Sequence, residues 1–546
     1  MTKLYCFLFF FLTTVLAVMA EPATPGVWKT ITTTDGSTLQ VQLTGDEFFH
    51  YWLSTDGRAF NDNGSLIDLS QRKVAARQRR LRHAMRRSQR LPRTESTLPI
   101  REFTGDKRGL IILVEFEDKS FRETNNLTFY RRFANEEGFT TPDGFRGSVH
   151  DYFLDQSRGL FNLTFDVVGP INVGKEYSYY GENTGPDDFD VHPGEMVITA
   201  CRAIDDKVDF SDYDWDGDGV VDQVMIIYAG MGEASGGGAN SIWPHEWDLT
   251  EAEGAPITLD NVTINTYACS CELGAYGKIN GIGTTCHEFS HCLGLPDMYD
   301  TDYGGHLGLG AYSPMASGNY NGSSFLPAGY TSFERMCCGW LTPIVLTSEL
   351  NVNDLKPLSQ DGNAYILYND GYPDEFYLLE NRQQTGWDEY LPSTGLLILH
   401  VDYDETVWYY NMVNTVADFQ EKPYYGPGAI NDHERCNMFH ANNSSYNSLY
   451  TPYPYLSNNS LTRDSSPAAT LYHPNSKGEL FMDIGITDIT QNDDGTIAFR
   501  TVSTTSNLSP IRPQEEGTWY TLDGRRLTNR PEGKGIFIYN GKKIIK

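Results

Sequence analysis

The sequence predicts a mixed α/β domain, with a small β-rich unit before it and a β-sandwich after it. Two continuous apolar runs, 109–116 and 222–229, are typical of strands that are buried on both faces. Between them, residues 194–206 carry apolar side chains at helical spacing. Strands of this kind that alternate with helices predict an α/β domain. From about residue 345, short β-type runs separated by turn-rich spacers predict the sandwich.

The length and the charge of the chain limit what it can be. It has 546 residues, which predicts several domains, and a formal net charge of −30. Residues 1–105 contain 14 Lys/Arg and 9 Asp/Glu, whereas the remaining 441 residues contain 28 and 63. The acidic main part disfavours a nucleic-acid partner, because phosphate binding needs a basic face. The change of sign predicts two parts with different roles.

Residues 1–20 have the pattern of a secretory signal peptide. One Lys precedes an apolar run that ends in Val18-Met19-Ala20, which predicts cleavage after Ala20. The alternative is a membrane anchor, but the run is shorter than the ~20 residues that a transmembrane helix needs. We therefore expect a secreted or cell-surface protein without a transmembrane segment.

Residues 21–105 form the predicted pro-region. Its first part, 21–70, has short alternating segments punctuated by Asp-Gly turns, which predicts the β-rich unit. Residues 71–93 contain ten Lys/Arg and no Asp/Glu. This basic segment could be a solvated helix, a nucleic-acid-binding element or a protease-sensitive connector. We favour the connector, because proteolytic cleavage concentrates in exposed polar linkers, and we therefore predict a zymogen.

The segment 283–291 predicts a catalytic zinc site in the domain that spans residues 106–345. His287 and His291 are four residues apart, so both side chains lie on one face of a helix and can reach one metal ion. A catalytic zinc takes three protein ligands and a water molecule. Glu288 lies between the two His residues and can act on that water as the general base.

The residues after this helix complete the pattern. Gly294 can end the helix with a positive φ, and the chain then turns back. That turn can bring Asp297 to the third ligand position. The extended pattern His-Glu-x-x-His-x-x-Gly-x-x-Asp is far more specific than its first five residues alone, so chance is a poor explanation for it.

A second metal site is predicted in the loop before the strand at 222–229. Carboxylates stand at positions 1, 3, 5 and 9 of a calcium-loop pattern with Gly at position 6, and Val220 at position 7 would offer its backbone carbonyl. The four acids are Asp214, Asp216, Asp218 and Asp222. Met225 replaces the usual Glu at position 12, which excludes a full EF-hand. The alternative is a plain Asp-Gly turn, but acids this close would repel one another without a cation.

Residues 287–300, HEFSHCLGLPDMYD, resemble the zinc motif of the immune inhibitor A-type metallopeptidases. Further segments similar to that family lie at 148–153, 165–170, 214–222, 242–245, 313–318, 379–382, 386–388 and 395–403, so the resemblance covers roughly residues 105–500. It implies a secreted zinc endopeptidase with a metzincin-like catalytic domain. It also implies that His287, His291 and Asp297 are the zinc ligands and that Glu288 is the base.

The resemblance has two further consequences for the site. Ser313-Pro-Met315 would be the Met-turn, an apolar support beneath the metal. The third ligand keeps an alternative, because gluzincins use a Glu from a downstream helix and Glu334 is available. The Gly-x-x-Asp spacing favours Asp297, although most metzincins have His at that position.

Eight cysteines remain once the predicted signal peptide is removed. Six of them lie close together in the sequence between residues 269 and 338: Cys269, Cys271, Cys286, Cys292, Cys337 and Cys338. An even number in an exported chain permits disulfides, but the pairing cannot be derived from the sequence.

The rest of the chain is predicted to be β-rich. Residues 346–505 would form the β-sandwich, with an irregular insert at 407–475. Residues 506–546 resemble the short C-terminal tails that serve sorting or surface attachment in exported bacterial proteins. The alternative for this tail is a terminal hairpin that turns at Asn540-Gly541.

Together these features predict a secreted, zymogen-like zinc metalloendopeptidase that hydrolyses proteins or peptides. The residue that stabilises the developing oxyanion is not assigned, and Tyr320 and His245 are candidates. The alternative is a non-catalytic surface adhesin or glycan-binding protein that retains the protease fold. The intact His287, Glu288 and His291 argue against this alternative.

Overall fold

The computed structural model describes residues 19–73, 76, 100–183, 190–303, 305–416, 431–444 and 451–503, together with the backbone of four short strands between 519 and 545. Most of the predicted signal peptide and most of the basic segment 71–93 lie outside the described residues. Among the described residues, no helix is both long and apolar enough to cross a membrane.

The N-terminal unit is a four-stranded antiparallel sheet. A short strand comes first in the chain, and the four strands of the sheet follow it in sequence order: β1 Met19–Ala20, β2 Trp28–Thr32, β3 Thr38–Asp46, β4 Phe49–Ser54 and β5 Ala59–Phe60. The β-rich structure expected here is therefore present, while the role of a pro-region stays a prediction. The core of the unit, with Val41 and Trp52 among its members, also contains Ala234 and Trp243 of the next domain.

The central domain has one mixed sheet. Its strands and those of an adjoining hairpin are β6 Gly105–Glu115, β7 Phe161–Asn172, β8 Val224–Met231, β9 His245–Asp248, β10 Ile257–Leu259, β11 Val262–Ile264 and β12 Thr266–Leu273. The order in the sheet is β1-β9-β12-β8-β6-β7, and β10 pairs only with β11. Strands β6, β7, β8 and β12 are parallel, and β9 runs antiparallel to β12 near the edge.

Helices cover both faces of this sheet, as the apolar runs predict. They are α1 Leu127–Asn135, α2 Val149–Gln156, α3 Tyr177–Tyr180, α4 Pro193–Ile204, α5 Leu249–Glu253, α6 Ile282–Ser290 and α7 Ser332–Cys337. Alternate residues of β6 point to opposite faces: Ile111 packs in one core with Phe289 of α6, and Ile112 packs in another with Val197 of α4. The expected mixed α/β domain is thus present.

Two sheets form the C-terminal unit. Its elements are β13 Ile344–Val345, β14 Asn351–Leu355, β15 Ala364–Tyr368, β16 Glu375–Arg382, β17 Gly395–Asp402, α8 Glu405–Tyr409, β18 Cys436–Met438, β19 Ile484–Gln491 and β20 Ile497–Ser503. The five-stranded sheet has the order β13-β15-β16-β17-β18, and the three-stranded sheet has the order β14-β20-β19. Both faces of β16 and β17 are buried.

The two faces of the five-stranded sheet belong to different cores. Tyr377 and Ile398 pack with Phe499 of the three-stranded sheet. Leu378 and Leu397 point the other way and join the core that contains the zinc-motif helix. The C-terminal unit and the central domain are therefore joined by a continuous apolar interface rather than by a linker.

The C-terminal tail contains a small sheet of the order β22-β21-β23-β24, with β21 Trp519–Thr521, β22 Arg526–Leu527, β23 Ile536–Tyr539 and β24 Lys542–Ile545. The backbone pairs Tyr539 with Lys542, so the predicted hairpin is confirmed. A role in sorting or attachment stays a prediction. The eight cysteines of the described residues are buried free thiols.

Candidate active site

The zinc-motif helix is held tightly against the segment that follows the predicted Met-turn. Gly283 lies so close to Asn319 that an added Cβ would come within 1.9 Å of the Asn319 carbonyl oxygen. Helix α6 continues into one tighter turn, His291–Leu293, and Gly294 ends that turn with a φ of 83°. The stop that the sequence predicts at Gly294 is therefore confirmed, and the chain turns back there.

This turn brings three ligand-type atoms together. The Nε2 atoms of His287 and His291 are 3.3 Å apart. Oδ1 of Asp297 lies 3.3 Å from Nε2 of His287 and 3.7 Å from Nε2 of His291. Ligands about 2.0–2.1 Å from a tetrahedral zinc are ~3.4 Å from one another. The triangle has the dimensions that a zinc site requires.

The outer nitrogens of both imidazoles are engaged by backbone carbonyls. Nδ1 of His287 lies 2.7 Å from the carbonyl oxygen of Pro314, and Nδ1 of His291 lies 2.8 Å from that of Leu295. Each Nδ1 therefore carries the proton and donates it, which leaves the Nε2 lone pairs directed to the common point. Such partners fix the ring orientation and the tautomer of metal-binding histidines.

Asp297 is oriented by a residue that the sequence did not single out. Asn411, which follows helix α8, donates from Nδ2 to Oδ2 of Asp297 at 2.6 Å and accepts from the Asp297 backbone N–H at 2.7 Å. Oδ1 of Asp297 is buried and has no hydrogen-bond partner among the described residues. A cation bound between this carboxylate oxygen and the two imidazole nitrogens would satisfy the buried, unpartnered oxygen.

Burial and charge set the protonation of this cluster. Burial lowers the pKa of His291 to about 3, which keeps the imidazole in the neutral, metal-binding form. Burial acts on His287 in the same direction, but the Asp297 carboxylate outweighs it and raises the pKa. Burial raises the pKa of Glu288 well above its usual value, and the carboxylates of Glu21 and Asp297 raise it further.

Glu288 contacts the N-terminal unit. Its Oε1 accepts a hydrogen bond of 2.9 Å from the backbone N–H of Glu21, and its Oε2 has no partner among the described residues. Strand β1, directly before Glu21, pairs antiparallel with β9. The carbonyl of Glu21 accepts from Nε1 of Trp243 at 3.0 Å, and the Tyr320 hydroxyl donates to the Pro22 carbonyl at 2.5 Å. An extended N-terminal segment thus lies across Glu288.

Two residues considered for the metal site have other partners. Glu334 occupies the third position of helix α7 and closes a capping box, where its carboxylate accepts from the backbone and hydroxyl of Thr331 at 2.7 and 2.8 Å and from the Ser313 hydroxyl. Met315 is fully buried in the core next to the helix, and its N–H donates to Ser313. Glu334 is therefore directed to a helix N-terminus, whereas Met315 is buried beside the helix that carries His287 and His291, and its role as a Met-turn stays a prediction.

The two oxyanion candidates differ in position. Tyr320 contacts the N-terminal segment in the cleft between helix α6 and the segment Ser317–Ser324, as its hydrogen bond to Pro22 shows. His245 is buried, with Nδ1 2.6 Å from the Trp243 carbonyl oxygen and Nε2 3.2 Å from the Tyr267 hydroxyl. Burial lowers the pKa of His245 to about 4. His245 is thus a neutral structural side chain, and Tyr320 is the better placed of the two.

The acidic loop brings three of the four predicted acidic ligands together. Ligand atoms of Asp214, Asp216 and Asp218 lie within 4.8 Å of one another. Asp214 accepts backbone N–H bonds from Gly217, Asp218 and Gly219, and Asp222 accepts one from Trp215 at 2.6 Å. Burial, together with the charges of Asp216 and Asp214, raises the pKa of Asp222 to about 7.

Known proteins share the central domain. Residues 101–337 match the family model described as the immune inhibitor A peptidase M6 catalytic domain. Immune inhibitor A of Bacillus thuringiensis subsp. alesti is 29% identical over 290 residues, which are 43% of this chain and 41% of that protein. The pre-pro-metalloprotease PrtV of Vibrio cholerae is 29% identical over 273 residues, 42% of this chain and 30% of that protein.

A more distant relative comes from a fungus. A putative secreted metallopeptidase of Arthroderma benhamiae is 26% identical over 223 residues, 36% of this chain and 32% of that protein. The chain therefore spans less than half the length of the curated relatives it matches. The family-model match covers the part of the chain that carries the His287, Glu288 and His291 cluster.

Proposed function

We propose that this chain, which belongs over residues 101–337 to the immune inhibitor A peptidase family, is a secreted zinc-dependent metalloendopeptidase that cleaves peptide bonds in proteins. The observation that carries the proposal is the triangle of His287 Nε2, His291 Nε2 and Asp297 Oδ1, with edges of 3.3, 3.3 and 3.7 Å. These three residues would hold the zinc. Secretion is supported by the signal-like segment 1–20.

Glu288 is the proton carrier of the proposed reaction. Zinc bound at the triangle would supply Lewis-acid polarisation of the scissile carbonyl and of the attacking water. Glu288 accepts the proton of that water and later delivers it to the leaving nitrogen, so the carbon–nitrogen bond breaks with the amine neutral. The 2.9 Å contact with the backbone nitrogen of Glu21 supports this role, because it shows that the carboxylate is accessible to a main-chain nitrogen.

The same contact supports a latent precursor. While Glu21 and Pro22 lie in the cleft, Oε1 of Glu288 is engaged and a substrate cannot reach it. Cleavage within the basic segment 71–93 would sever the N-terminal unit from the catalytic domain and allow it to leave. The acidic loop of Asp214, Asp216, Asp218, Val220 and Asp222 is proposed as a calcium site that stabilises the domain.

The function is tested with the secreted protein purified from the culture medium, cleaved within the basic segment 71–93 by immobilised trypsin and loaded with zinc. It should cleave casein, lose that activity with a chelator and regain it with zinc. Glu288→Ala should bind zinc as the parent does but lower turnover by ~10²–10⁴-fold, because a general base is removed and no ligand is. Full activity of Glu288→Ala would contradict the mechanism, and absence of hydrolysis by the parent would favour the non-catalytic adhesin.

A further inference from the structure

The N-terminal segment lies in the cleft in the manner of a peptide substrate. Before the predicted removal of residues 1–20, Met19 pairs with Glu246 and Ala20 with His245, so this segment extends the sheet as a strand antiparallel to β9. The next backbone nitrogen, that of Glu21, donates to Glu288, and it becomes the amino terminus once the predicted signal peptide is removed. In the proposed reaction Glu288 gives a proton to the nitrogen of the cleaved bond. Glu21 therefore occupies the position of the residue that follows this bond.

The side chain of Glu21 fills a pocket between the zinc-motif helix and the segment Ser317–Ser324. Its Oε2 accepts a hydrogen bond of 3.0 Å from Nδ2 of Asn319, and the side chains of Thr284 and Tyr320 lie close to the carboxylate. Glu21, Asn319 and Thr284 are each at most 1% exposed. This is a polar, enclosed pocket, unlike an apolar slot for an aliphatic or aromatic side chain.

The pocket wall has little freedom to adapt. Helix α6 meets this segment backbone to backbone, because a Cβ on Gly281 would lie 2.0 Å from the Ser324 carbonyl oxygen and one on Gly283 would lie 1.9 Å from that of Asn319. The hydroxyl of Ser324 also donates to the Asn319 carbonyl at 3.1 Å. Asn319 is thus a fixed donor and not a flexible surface amide.

One polar atom of the pocket is left without a partner. Oδ1 of Asn319 is buried and accepts no hydrogen bond from any described residue. A glutamine in the place of Glu21 would accept from Nδ2 of Asn319 and donate to Oδ1, so the two amides would be fully paired. A glutamine would also avoid placing a second carboxylate beside Glu288, which already binds the backbone of the same residue.

Resting on the function proposed above, we propose that the pocket formed by Thr284, Asn319 and Tyr320 is the subsite for the residue that follows the cleaved bond. Asn319 is its specificity-determining residue. The pocket selects glutamine first and glutamate second, and it rejects aliphatic and basic side chains, because these would leave the buried amide of Asn319 unpaired.

The test uses the protein from the culture medium, cleaved within the segment 71–93 by immobilised trypsin and loaded with zinc, and a library of peptides derived from whole-cell protein. Mass spectrometry of the new N-termini identifies the residue that follows each cleaved bond. Gln and Glu should be enriched there, and in matched peptides kcat/KM for Gln should exceed that for Leu or Lys by on the order of tenfold or more. An even distribution, or enrichment of aliphatic or basic residues, would overturn the proposal.

Variants identify the residue responsible. Asn319→Leu should lose the preference for Gln and Glu. Asn319→Asp keeps the shape of the side chain but presents only hydrogen-bond acceptors. It should therefore still cleave before Gln and should no longer cleave before Glu. This variant provides the test if Asn319→Leu does not fold. The control Asn321→Leu lies in the same segment, where Nδ2 donates to the Ala311 carbonyl away from Glu21, and should keep the parental profile.

Two failures are distinguishable. If the parent cleaves casein but the profile is flat, or if Asn319→Leu and Asn319→Asp both keep the parental profile, the subsite assignment is wrong and the proposed function stands. If the parent cleaves no protein at all, the proposed function fails and the subsite assignment falls with it.

Discussion

The contact between Asn411 and Asp297 predicts that a residue outside the zinc motif controls zinc affinity. Asn411 has a φ of 52°, in the left-handed region that glycine adopts without strain. Asn411→Gly therefore removes the side chain and leaves the backbone where it is, whereas Ala would add about 1–3 kcal/mol of strain. Asn411→Asp keeps the shape but turns a second carboxylate toward Asp297.

The magnitude follows from the two hydrogen bonds that are lost. A hydrogen bond to a carboxylate contributes about 1.5–3 kcal/mol and a neutral one about 1 kcal/mol. Part of this is lost whether or not zinc is bound, so only a fraction appears in the affinity. Loss of an outer partner of a metal ligand typically weakens binding by about 10–100-fold. We expect that range for Asn411→Gly and a larger loss for Asn411→Asp.

Zinc affinity is measured by competition with a chromogenic chelator, beside the melting temperature of each variant. Asn414 provides the control, because its Nδ2 donates to the Met298 carbonyl at 2.8 Å and its Oδ1 accepts from Cys436, without contact to Asp297. Asn414→Gly should lower the melting temperature but release zinc as the parent does. Equal zinc affinities of Asn411→Gly, Asn414→Gly and the parent would refute the argument.

Three further predictions concern other parts of the molecule. Asp297→Ala should lose most of its zinc, whereas Glu334→Ala should keep zinc and lose about 1 kcal/mol of stability as a helix cap; metal analysis with the reverse result would move the third ligand to Glu334. Millimolar calcium should raise the melting temperature of the parent by binding the native state, and the double variant Asp216→Ala/Asp218→Ala should not respond; identical responses would place the effect elsewhere. His50 forms a buried pair with Glu233 of the central domain. Burial lowers the pKa of His50, but the Glu233 carboxylate outweighs this effect and raises the pKa from 6.5 to about 9. The stability that this pair contributes to the fold is fully present below pH 6.5 and is lost as the pH rises through 9. The melting temperature of the full chain should therefore fall more steeply between pH 7 and 10 than that of His50→Gln. Equal slopes would exclude the pair as a stabilising contact.

The parts of the site that the sequence predicted are local in the chain. Helical periodicity places His287 beside His291, and one glycine turn brings Asp297 back to them, so spacing alone carries the geometry. Glu21 and Asn411 reach the same site from 267 and 114 residues away. No periodicity links residues that far apart, because tertiary packing alone brings them together.

The fold shows the same division between local and distant information. The strands and the helix α4 follow from apolar runs and spacing, and their types were predicted correctly. The sandwich prediction did not include the apolar interface between the five-stranded sheet and the central domain. A signal was available: Leu396, Leu397, Ile398 and Leu399 do not alternate with polar residues, which is typical of a strand buried on both faces.

The double-sided burial of β16 and β17 has a consequence for inheritance. The region that matches the family model ends at residue 337, yet a chain cut there would expose the apolar groups that Leu378 and Leu397 cover and would lose Asn411. A protein that inherits only this region is therefore expected to lack part of its apolar core and the hydrogen-bond partner of Asp297. The portion that keeps both runs from β6 through β20.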